Sequence, residues 1–350
     1  MWDKSTTRIH ILLFIGGIIF GLLISKMFYS SCSLSHISTN YLQLFKKNEP
    51  EQPEPEQRQP HQLKNGIFSA ATNVSLVEIY RFVRSARSSC HACHIVLLVN
   101  DNLINTTDFL QLTSIYSVQF IPYHQSVTEY TSIAEKNLHI YFSRWIVFYR
   151  YLLHLKSIRL KFQNLFLCDM KDTVFQSNIF DYIPIDDQPN TVRLYGILES
   201  NIRTIGTCRF SGPWVRSCFD ESEFQKLSNK SIACAGTVLG NYKGMMIYLT
   251  LMEKLILTKY TISGCKDQGI HNHIIHNYLV PNTSLIPHET GFVGTLGYSP
   301  WVYRNKFGLA INLNKSVYAV IHQFNRSPQM VDQYNREYQI LSNDILERKA

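Results

Sequence analysis

Two carboxylates at the end of an apolar run are the clearest candidates for chemistry in this 350-residue chain. Asp169 and Asp172 lie three residues apart in LFLCDMKDTVFQ, residues 165–176. Carboxylate oxygens are ligands that Mg²⁺ and Mn²⁺ prefer, and such a cation can be shared with the phosphate groups of a substrate. The alternative is a plain turn, in which both acids are solvated or cap the next segment.

A second catalytic interpretation of the same acids is a phosphatase. The run LFLCDMKDT resembles the D-x-D-x-T motif that follows an apolar strand in phosphatases of the haloacid-dehalogenase type. Here the acids are one residue further apart. About 100 residues of globular pattern also precede a motif that normally opens its domain. The phosphatase is therefore the weaker alternative.

Two clusters of Cys and His residues are weak candidates for a zinc site. CHACH, residues 90–94, has one Cys-x-x-Cys pair but no second pair at zinc-finger spacing, which favours a disulfide or buried thiols. HNHIIH, residues 271–276, places His273 and His276 one helical step apart.

Composition narrows the class of protein. Hydrophobic residues make up 45% of the chain, enough for a sizeable core in one large domain or two small ones. The 20 Tyr and 20 Phe suit a packed fold with ligand-facing clefts better than a disordered scaffold. The net charge of +8 favours an anionic ligand or a membrane surface. Because no block of five or more Lys and Arg residues occurs, we do not expect nucleic-acid binding.

The N-terminus predicts a membrane anchor. We assign residues 1–8 to a cytosolic tail and 9–29 to a transmembrane signal anchor, since IHILLFIGGIIFGLLIS carries no acidic, Lys or Arg residue and approaches the ~20 residues that span a bilayer. A cleaved signal peptide is the alternative, but the apolar run is long for one and no A-x-A-like site follows. Gly17 and Gly21 form G-x-x-x-G, which could allow two copies to pair as a homodimer.

The remainder of the chain is then luminal. Residues 30–65, rich in Pro, Glu and Gln, predict an extended stem, and 66–350 a luminal catalytic domain. Eight cysteines suit an oxidising compartment, and a local bridge between Cys208 and Cys218 is our expected pairing. Six N-glycosylation sequons follow the span, at Asn73, Asn105, Asn229, Asn282, Asn314 and Asn325.

The pattern from residue 66 onward predicts an α/β fold with a mostly parallel central sheet flanked by helices. Apolar strands alternate with helices, and strands buried on both faces are typical of such sheets. Ligands bind beyond the carboxyl ends of those strands, where Asp169 and Asp172 lie. The predicted strands are HIVLLVN, VQFIPY, NLFLC, TVRLYGI, SIACAGTVLGN and SVYAVIHQF, and the predicted helices are SLVEIYRFVRSA, 133–155, 241–258 and KDQGIHNHIIHNYL.

Four segments in order carry a resemblance to a known family. CDMKDTVFQSNIF resembles the acidic motif of glycosyltransferases of the GT-A nucleotide-diphospho-sugar transferase fold; Asp172 matches the second acid of D-x-D, and Asp169 lies one position early. ACAGTVLGNYKGM resembles the strand and helix that line the sugar site, KDQGIHNHIIHNYL the D-Q helix of retaining members, and AVIHQFNR the segment with a C-terminal metal-binding His. With the anchor and stem, the chain is similar to Golgi-type, type II membrane glycosyltransferases, in a branch with D-x-x-D.

The resemblance implies a metal centre. It assigns Mn²⁺, or Mg²⁺, to Asp172 directly, to Asp169 as metal ligand or partner of the donor's ribose, and to His322 as third ligand. The alternative for His322 is an ordinary structural histidine.

It also implies a donor site. Arg144 would bind the donor diphosphate, with a structural ion pair as alternative. Asp267 and Gln268 would be catalytic, with the Asp267 carboxylate near the anomeric carbon; a helix cap is the alternative for this acid. The remaining residues of the predicted donor site are Ala235, Gly236 and Thr237, small enough for a sugar to approach the backbone or simply for close packing.

The function this resemblance implies is sugar transfer from a nucleotide-sugar, UDP-linked, to a glycan, protein or lipid acceptor. The reaction would depend on a metal and retain the anomeric configuration, in the lumen of the Golgi or ER with a single membrane span. The alternative of another class is a catalytically inactive, GT-A-like membrane-anchored binding protein, which the shifted acid spacing motivates.

Overall fold

The computed structural model describes residues 61–124, 138–184, 191–278, 283–298 and 302–338. The predicted tail and anchor, 1–8 and 9–29, lie outside these residues, as does the stem up to residue 60. None of the helices within the described ranges combines the length and apolarity that crossing a bilayer requires. The first strand begins at His61, so residues 61–65, expected in the stem, belong to the sheet.

The described strands form one large sheet and two small ones. In chain order they are β1 (His61–Ala71), β2 (His94–Val99), β3 (Val118–Pro122), β4 (Leu160–Asp169), β5 (Thr173–Phe175), β6 (Leu194–Leu198), β7 (Ala233–Asn241), β8 (Thr283–Ile286), β9 (Val293–Thr295), β10 (Tyr303–Arg304), β11 (Ala310–Ile311) and β12 (Val320–His322). The large sheet has the order β3-β2-β1-β4-β7-β6-β8. Strand β7 runs antiparallel to both neighbours, and the other four pairs are parallel, so the mostly parallel sheet is confirmed.

Helices cover both faces of this sheet. They are α1 (Leu76–Ser89), α2 (Thr107–Tyr116), α3 (Ile140–Ser157), α4 (Ser211–Cys218), α5 (Glu221–Leu227), α6 (Tyr242–Lys259), α7 (Asp267–Asn277) and α8 (Pro328–Glu337). The predicted helices are confirmed. Helix α3 begins at Ile140 rather than near residue 133, and 125–137 lie outside the described residues.

Strand β4 shows how the two core layers are separated. Leu165 and Leu167 pack with α3, α6 and α7, whereas Phe166 and Cys168 pack with α1 and α2 on the opposite face. Because side chains alternate along a strand, the next residue, Asp169, lies on the α3 side. The two-residue alternation along β4 thus decides that Asp169 faces helix α3 and not α1.

A three-stranded sheet stands next to the carboxyl end of β4. Its order is β5-β12-β9, with β12 antiparallel to β5 and parallel to β9. His322 is registered with Thr173 on β5 and with Thr295 on β9. Since Thr173 directly follows Asp172, this pairing brings His322 beside Asp172, although the two residues are 150 positions apart in the sequence.

The disulfide pairing differs from the expected one. Cys218 is bonded to Cys265, with 4.5 Å between their Cα atoms, and Cys208 is free and buried. The predicted Cys208–Cys218 bridge is wrong because α4 lies between them: eight helical residues extend about 12 Å, beyond the ~7 Å limit for a disulfide. CHACH does form a disulfide, between Cys90 and Cys93.

We expect loss of the Cys218–Cys265 bond to destabilise the protein by about 4 kcal/mol, the chain-entropy value for a closed loop of this length. The bond spans 47 residues, whereas Cys90–Cys93 spans three. Urea denaturation of C218S/C265S, with C90S/C93S as the short-loop control, measures both free energies of unfolding. Equal losses in the two double variants would contradict the loop-length argument.

The sequons lie on the surface wherever they are described. Asn73, Asn105, Asn229, Asn314 and Asn325 are all exposed, and Asn282 lies outside the described residues. Glycosylation remains a prediction, and the exposure of these five asparagines leaves room for a glycan at each.

Candidate active site

The two acids of the opening motif lie together although two residues separate them. Met170 is buried in the layer beneath α1, and the exposed side chain of Lys171 lies 3.8 Å from Glu78. Neither intervening side chain therefore enters the space between Asp169 and Asp172. D-x-x-D has one more intervening residue than D-x-D, and here the buried side chain of Met170 anchors the turn in the core.

His322 completes a cluster with these acids. Its Nε2 atom lies 3.7 Å from Oδ2 of Asp169 and 3.6 Å from Oδ1 of Asp172. One ligand atom from each residue lies within 4.8 Å of the other two. The structure thus brings together the three predicted metal ligands, which come from the end of β4, the following turn and the end of β12.

This cluster fits a divalent cation. The His322 side chain is 1% exposed, and its Nε2 has no hydrogen-bond partner among the described residues, an arrangement that is costly for a buried polar atom. A Cβ atom at Gly236 would lie 2.6 Å from that Nε2 and 2.8 Å from Oδ2 of Asp169, so only glycine leaves this space open. Two carboxylates and an imidazole are a suitable donor set for Mn²⁺.

Arg144 on α3 connects the cluster to the start of α7. Its guanidinium forms ion pairs with Asp169 and, at 3.0 Å, with Oδ2 of Asp267. Burial raises the pKa of a carboxyl group, but for Asp169 the charges of Arg144 and His322 outweigh burial and hold the pKa well below its usual range. Asp169 is therefore ionised at neutral pH and available as a ligand.

The other two cluster members have pKa values shifted in the opposite direction. Burial raises the pKa of Asp172, and His322 opposes this effect. Burial lowers the pKa of His322, but the neighbouring Cys234, Asp169 and Asp172 together outweigh burial and hold that pKa well above its usual value. The two carboxylates thus favour a positive charge on the His322 side of the cluster.

The predicted catalytic acid Asp267 is deeply engaged. Its Oδ1 accepts from the Gln268 backbone N–H at 2.9 Å, and its Oδ2 accepts from Arg144 and, at 3.1 Å, from Trp145 Nε1. Burial raises the pKa of Asp267, and Arg144 opposes the shift. The carboxylate accepts a hydrogen bond at the N-terminus of α7 and also contacts Arg144, and its position near an anomeric carbon stays a prediction.

Gln268 holds a bulge in β7. Gly196 is registered with Val238 and Leu198 with Ala233, so Ile197 alone opposes the four residues 234–237. The Gln268 side chain accepts from the N–H of Ala235 at 2.9 Å and donates to the carbonyl of Ala233. Its amide therefore satisfies backbone groups that the bulge leaves without sheet partners.

The bulge also separates the three small residues of the predicted donor site. Gly236 adjoins the cluster, whereas Ala235 is held by Gln268 and Thr237 is registered with Cys168 on β4. Gly236 is thus placed against two of the predicted metal ligands, Asp169 and His322.

The zinc candidates have other partners. Besides the disulfide in CHACH, His273 Nδ1 lies 2.7 Å from Glu223, and His276 Nε2 lies 2.9 Å from the carbonyl oxygen of Ser231. His273 and His276 thus each bind a different partner, and these contacts do not place them around a common metal position.

Sequence reasoning missed Glu199 and Cys234. Glu199 follows β6, and its backbone N–H donates to the Ile232 carbonyl at 2.8 Å. It is 9% exposed, and burial raises its pKa to about 7 while His322 opposes the shift. The available signal was an acid two residues after the predicted strand TVRLYGI, close to the position relative to a strand end that identified Asp169. Cys234 begins the bulge and lies beside His322.

Replacing Glu199 by glutamine should change how stability depends on pH. The folded-state pKa of about 7 exceeds the usual 4.5, so the folded chain keeps a proton that the unfolded chain releases. The resulting stability is complete below pH 4.5 and is lost as pH rises through 7, by up to about 3 kcal/mol. Relative to E199Q, the wild type should therefore become less stable between about pH 5 and pH 8.

Urea denaturation across this pH range, with chelator present, measures that difference. E337Q, a substitution of the same kind at an exposed position on α8, provides the matched control. A wild-type to E199Q difference that stays flat with pH would contradict the raised pKa.

No family model and no curated protein matches the sequence. The fold is similar to solved structures of glycosyltransferases. A galactosyltransferase, LgtC, solved with donor and acceptor sugar analogs, is 10% identical with a TM-score of 0.45, over 79% of this chain and 96% of LgtC. The glycosyltransferase GlyE of Streptococcus pneumoniae TIGR4 is 16% identical with a TM-score of 0.45, over 81% of this chain and 62% of GlyE. Similarity at this level does not assign roles to side chains.

Proposed function

We propose that this chain is a metal-dependent glycosyltransferase that transfers a sugar from a UDP-linked donor to a glycan, protein or lipid acceptor with retention of configuration. The observation that carries the proposal is the convergence of Asp169, Asp172 and His322 at the carboxyl end of β4. A buried imidazole nitrogen without a partner among the described residues is the feature that a structural turn does not explain.

The three residues would hold Mn²⁺ or Mg²⁺, which when bound supplies Lewis-acid stabilisation of the departing diphosphate. Arg144 keeps Asp169 ionised and fixes its orientation through the ion pair. Gly236 keeps the space beside His322 open, so a ligand can approach the cluster without meeting a side chain.

Arg144 also couples the metal ligands to Asp267. One guanidinium contacts both Asp169 and Asp267, so the diphosphate side of the site and the carboxylate proposed to face the anomeric carbon have a common support. In that position the carboxylate would stabilise an oxocarbenium-like transition state or act as nucleophile. Gln268 acts in this proposal through the bulge that it holds.

The proposal includes a type II topology in the Golgi or ER membrane with the catalytic domain in the lumen. Its support is the apolar run at 9–29, the exposed sequons and the disulfides Cys90–Cys93 and Cys218–Cys265, which suit an oxidising compartment. Pairing of two copies through Gly17 and Gly21 remains part of the same proposal.

The test is an assay of the full chain in detergent with a panel of nucleotide-sugars and Mn²⁺. We expect hydrolysis of, or transfer from, at least one UDP-sugar, abolished by chelator, with the product's anomeric configuration read by NMR. Absence of both turnover and binding for every donor would overturn the proposal. UDP–Mn²⁺ binding without turnover would indicate the inactive binding protein, and phosphate release through a phospho-aspartyl intermediate on Asp169 would indicate the phosphatase.

A further inference from the structure

The ring of His322 has a sulfur on the side opposite the two acids. Its Nε2 faces Asp169 and Asp172, whereas its Nδ1 lies 3.5 Å from Sγ of Cys234, within the range for a hydrogen bond to sulfur. Cys234 is a free cysteine, 2% exposed. The two ring nitrogens therefore have different surroundings: Nε2 faces the two carboxylates, and Nδ1 faces the thiol of Cys234.

The position of this sulfur is determined by the bulge in β7. Cys234 lies between Ala233, whose N–H donates to Asn272 at 2.9 Å, and Ala235, whose N–H donates to Gln268. Two side chains of α7 thus fix the backbone on either side of the cysteine. A sulfur held in this way can orient the imidazole, rather than simply filling space beside it.

Imidazole binds a metal ion in its neutral form, which has lost one proton and carries a single N–H. The hydrogen-bond partner of the other nitrogen decides which ring nitrogen keeps that N–H. If Nδ1 donates to Sγ, Nε2 keeps its lone pair and can bind a cation. If the N–H were on Nε2, that atom could not be a ligand. Metal-binding histidines usually donate their other N–H to a carboxylate, a carbonyl or water.

We propose that Cys234 is a positioning residue of the metal centre: its sulfur accepts the Nδ1–H of His322, and this holds the ring in the tautomer and orientation that direct Nε2 toward Asp169 and Asp172. The inference rests on the proposed metal-dependent function and adds a residue of a different chemical class. A buried thiol does here what an oxygen acceptor does in most histidine metal sites.

The experiment measures Mn²⁺ affinity from the EPR signal of free Mn²⁺, titrated with the full chain in detergent. C234V keeps the approximate size of the side chain but cannot accept a hydrogen bond, whereas C234S can. We expect C234V to bind Mn²⁺ about 10- to 100-fold more weakly, the usual effect of losing an outer partner of a metal-binding histidine. C234S should remain close to the wild-type affinity.

Two controls separate this role from general packing. Cys208 is also free and buried, but its sulfur contacts Tyr298 Oη at 3.1 Å, so C208V should leave Mn²⁺ affinity unchanged. The melting temperature of each metal-free variant reports packing alone. The recovery of Mn²⁺ affinity in C234S relative to C234V should therefore not be matched by a recovery of melting temperature.

Equal Mn²⁺ affinity in C234V and wild type would overturn the role of Cys234 while leaving the metal centre in place. Equal loss in C234V and C234S would also overturn it, because the hydrogen bond would then not be what matters. If neither the wild type nor H322A binds Mn²⁺, the metal centre itself is wrong and this inference is overturned with it. A metal centre without transfer from any UDP-sugar contradicts only the proposed reaction.

Discussion

Replacing Asp172 by asparagine should lower kcat/KM for sugar transfer by about 1000-fold or more. The change removes one charged side chain from the three proposed metal ligands that converge at the end of β4. Lewis-acid stabilisation by a bound metal contributes several kcal/mol, and each ~1.4 kcal/mol corresponds to a factor of ten in rate. Steady-state kinetics with a UDP-sugar and Mn²⁺ measures the effect.

The same substitution should not destabilise the metal-free fold. Burial raises the pKa of Asp172, which means that its charged form is unfavourable in the folded protein. An uncharged amide should therefore leave the free energy of unfolding unchanged or increase it. As a control, D108N alters an exposed acid on α2 and should keep wild-type activity. A D172N enzyme within tenfold of wild type would show that Asp172 is not a metal ligand in the reaction.

Replacing Arg144 by methionine should cost about 3–5 kcal/mol of stability, the range found when one partner of a buried ion pair is removed. Arg144 neutralises both Asp169 and Asp267, and its side chain is 13% exposed. Without it the Asp267 carboxylate, 11% exposed, stays buried and loses the cation that contacts it. Urea denaturation at neutral pH measures the loss.

An exposed pair and a pH series provide the comparison for R144M. Arg216 and Glu221 are 2.7 Å apart with side chains 45% and 59% exposed, so R216M should cost much less stability than R144M. In the wild type the pKa of Asp169 is depressed, so its contribution is present above the usual value of 3.8 and is lost as pH falls. The R144M deficit should accordingly shrink at acidic pH. Equal losses in R144M and R216M would contradict the buried triad.

A double variant separates charge from packing at the same place. R144M/D267N removes the buried cation and one of its two acids, so it should be more stable than the sum of the single losses implies. Strict additivity would show that Arg144 acts mainly through the packing of its side chain against Trp145, whose ring lies 4.6 Å from the guanidinium carbon.

Hydrophobic periodicity was a reliable guide to most elements but not to their ends. Strands β2, β3 and β7 and helices α1, α6 and α7 all follow the predicted apolar runs. Strand β1 was missed because its first half, HQLKN, is polar and reads as part of the stem, yet pairing with β2 and β4 makes it central. Hydrophobic periodicity indicates which side chains of an element are buried, but it does not indicate which strands pair.

The disulfide and the bulge show what local spacing cannot decide. Cys208 and Cys218 are close in sequence, but the helix between them keeps them apart, and Cys265, just before α7, is bonded to Cys218 instead. Nothing in ACAGT indicates four residues opposite one, because a bulge is a property of two paired strands. Cys234 became a candidate only once that pairing was known.

The sequence by itself determined the α/β class, the position of the acids after a buried strand and, through the family resemblance, the choice of His322 as their partner. Those follow from residue types and their order along the chain. Only the tertiary structure decided that Asp169, Asp172 and His322 share one point, since that depends on the antiparallel pairing of β5 with β12. It also decided that Arg144 bridges two acids and that the sulfur of Cys234 lies beside His322, because these contacts join residues up to 123 positions apart through packing of α3, α7 and β7.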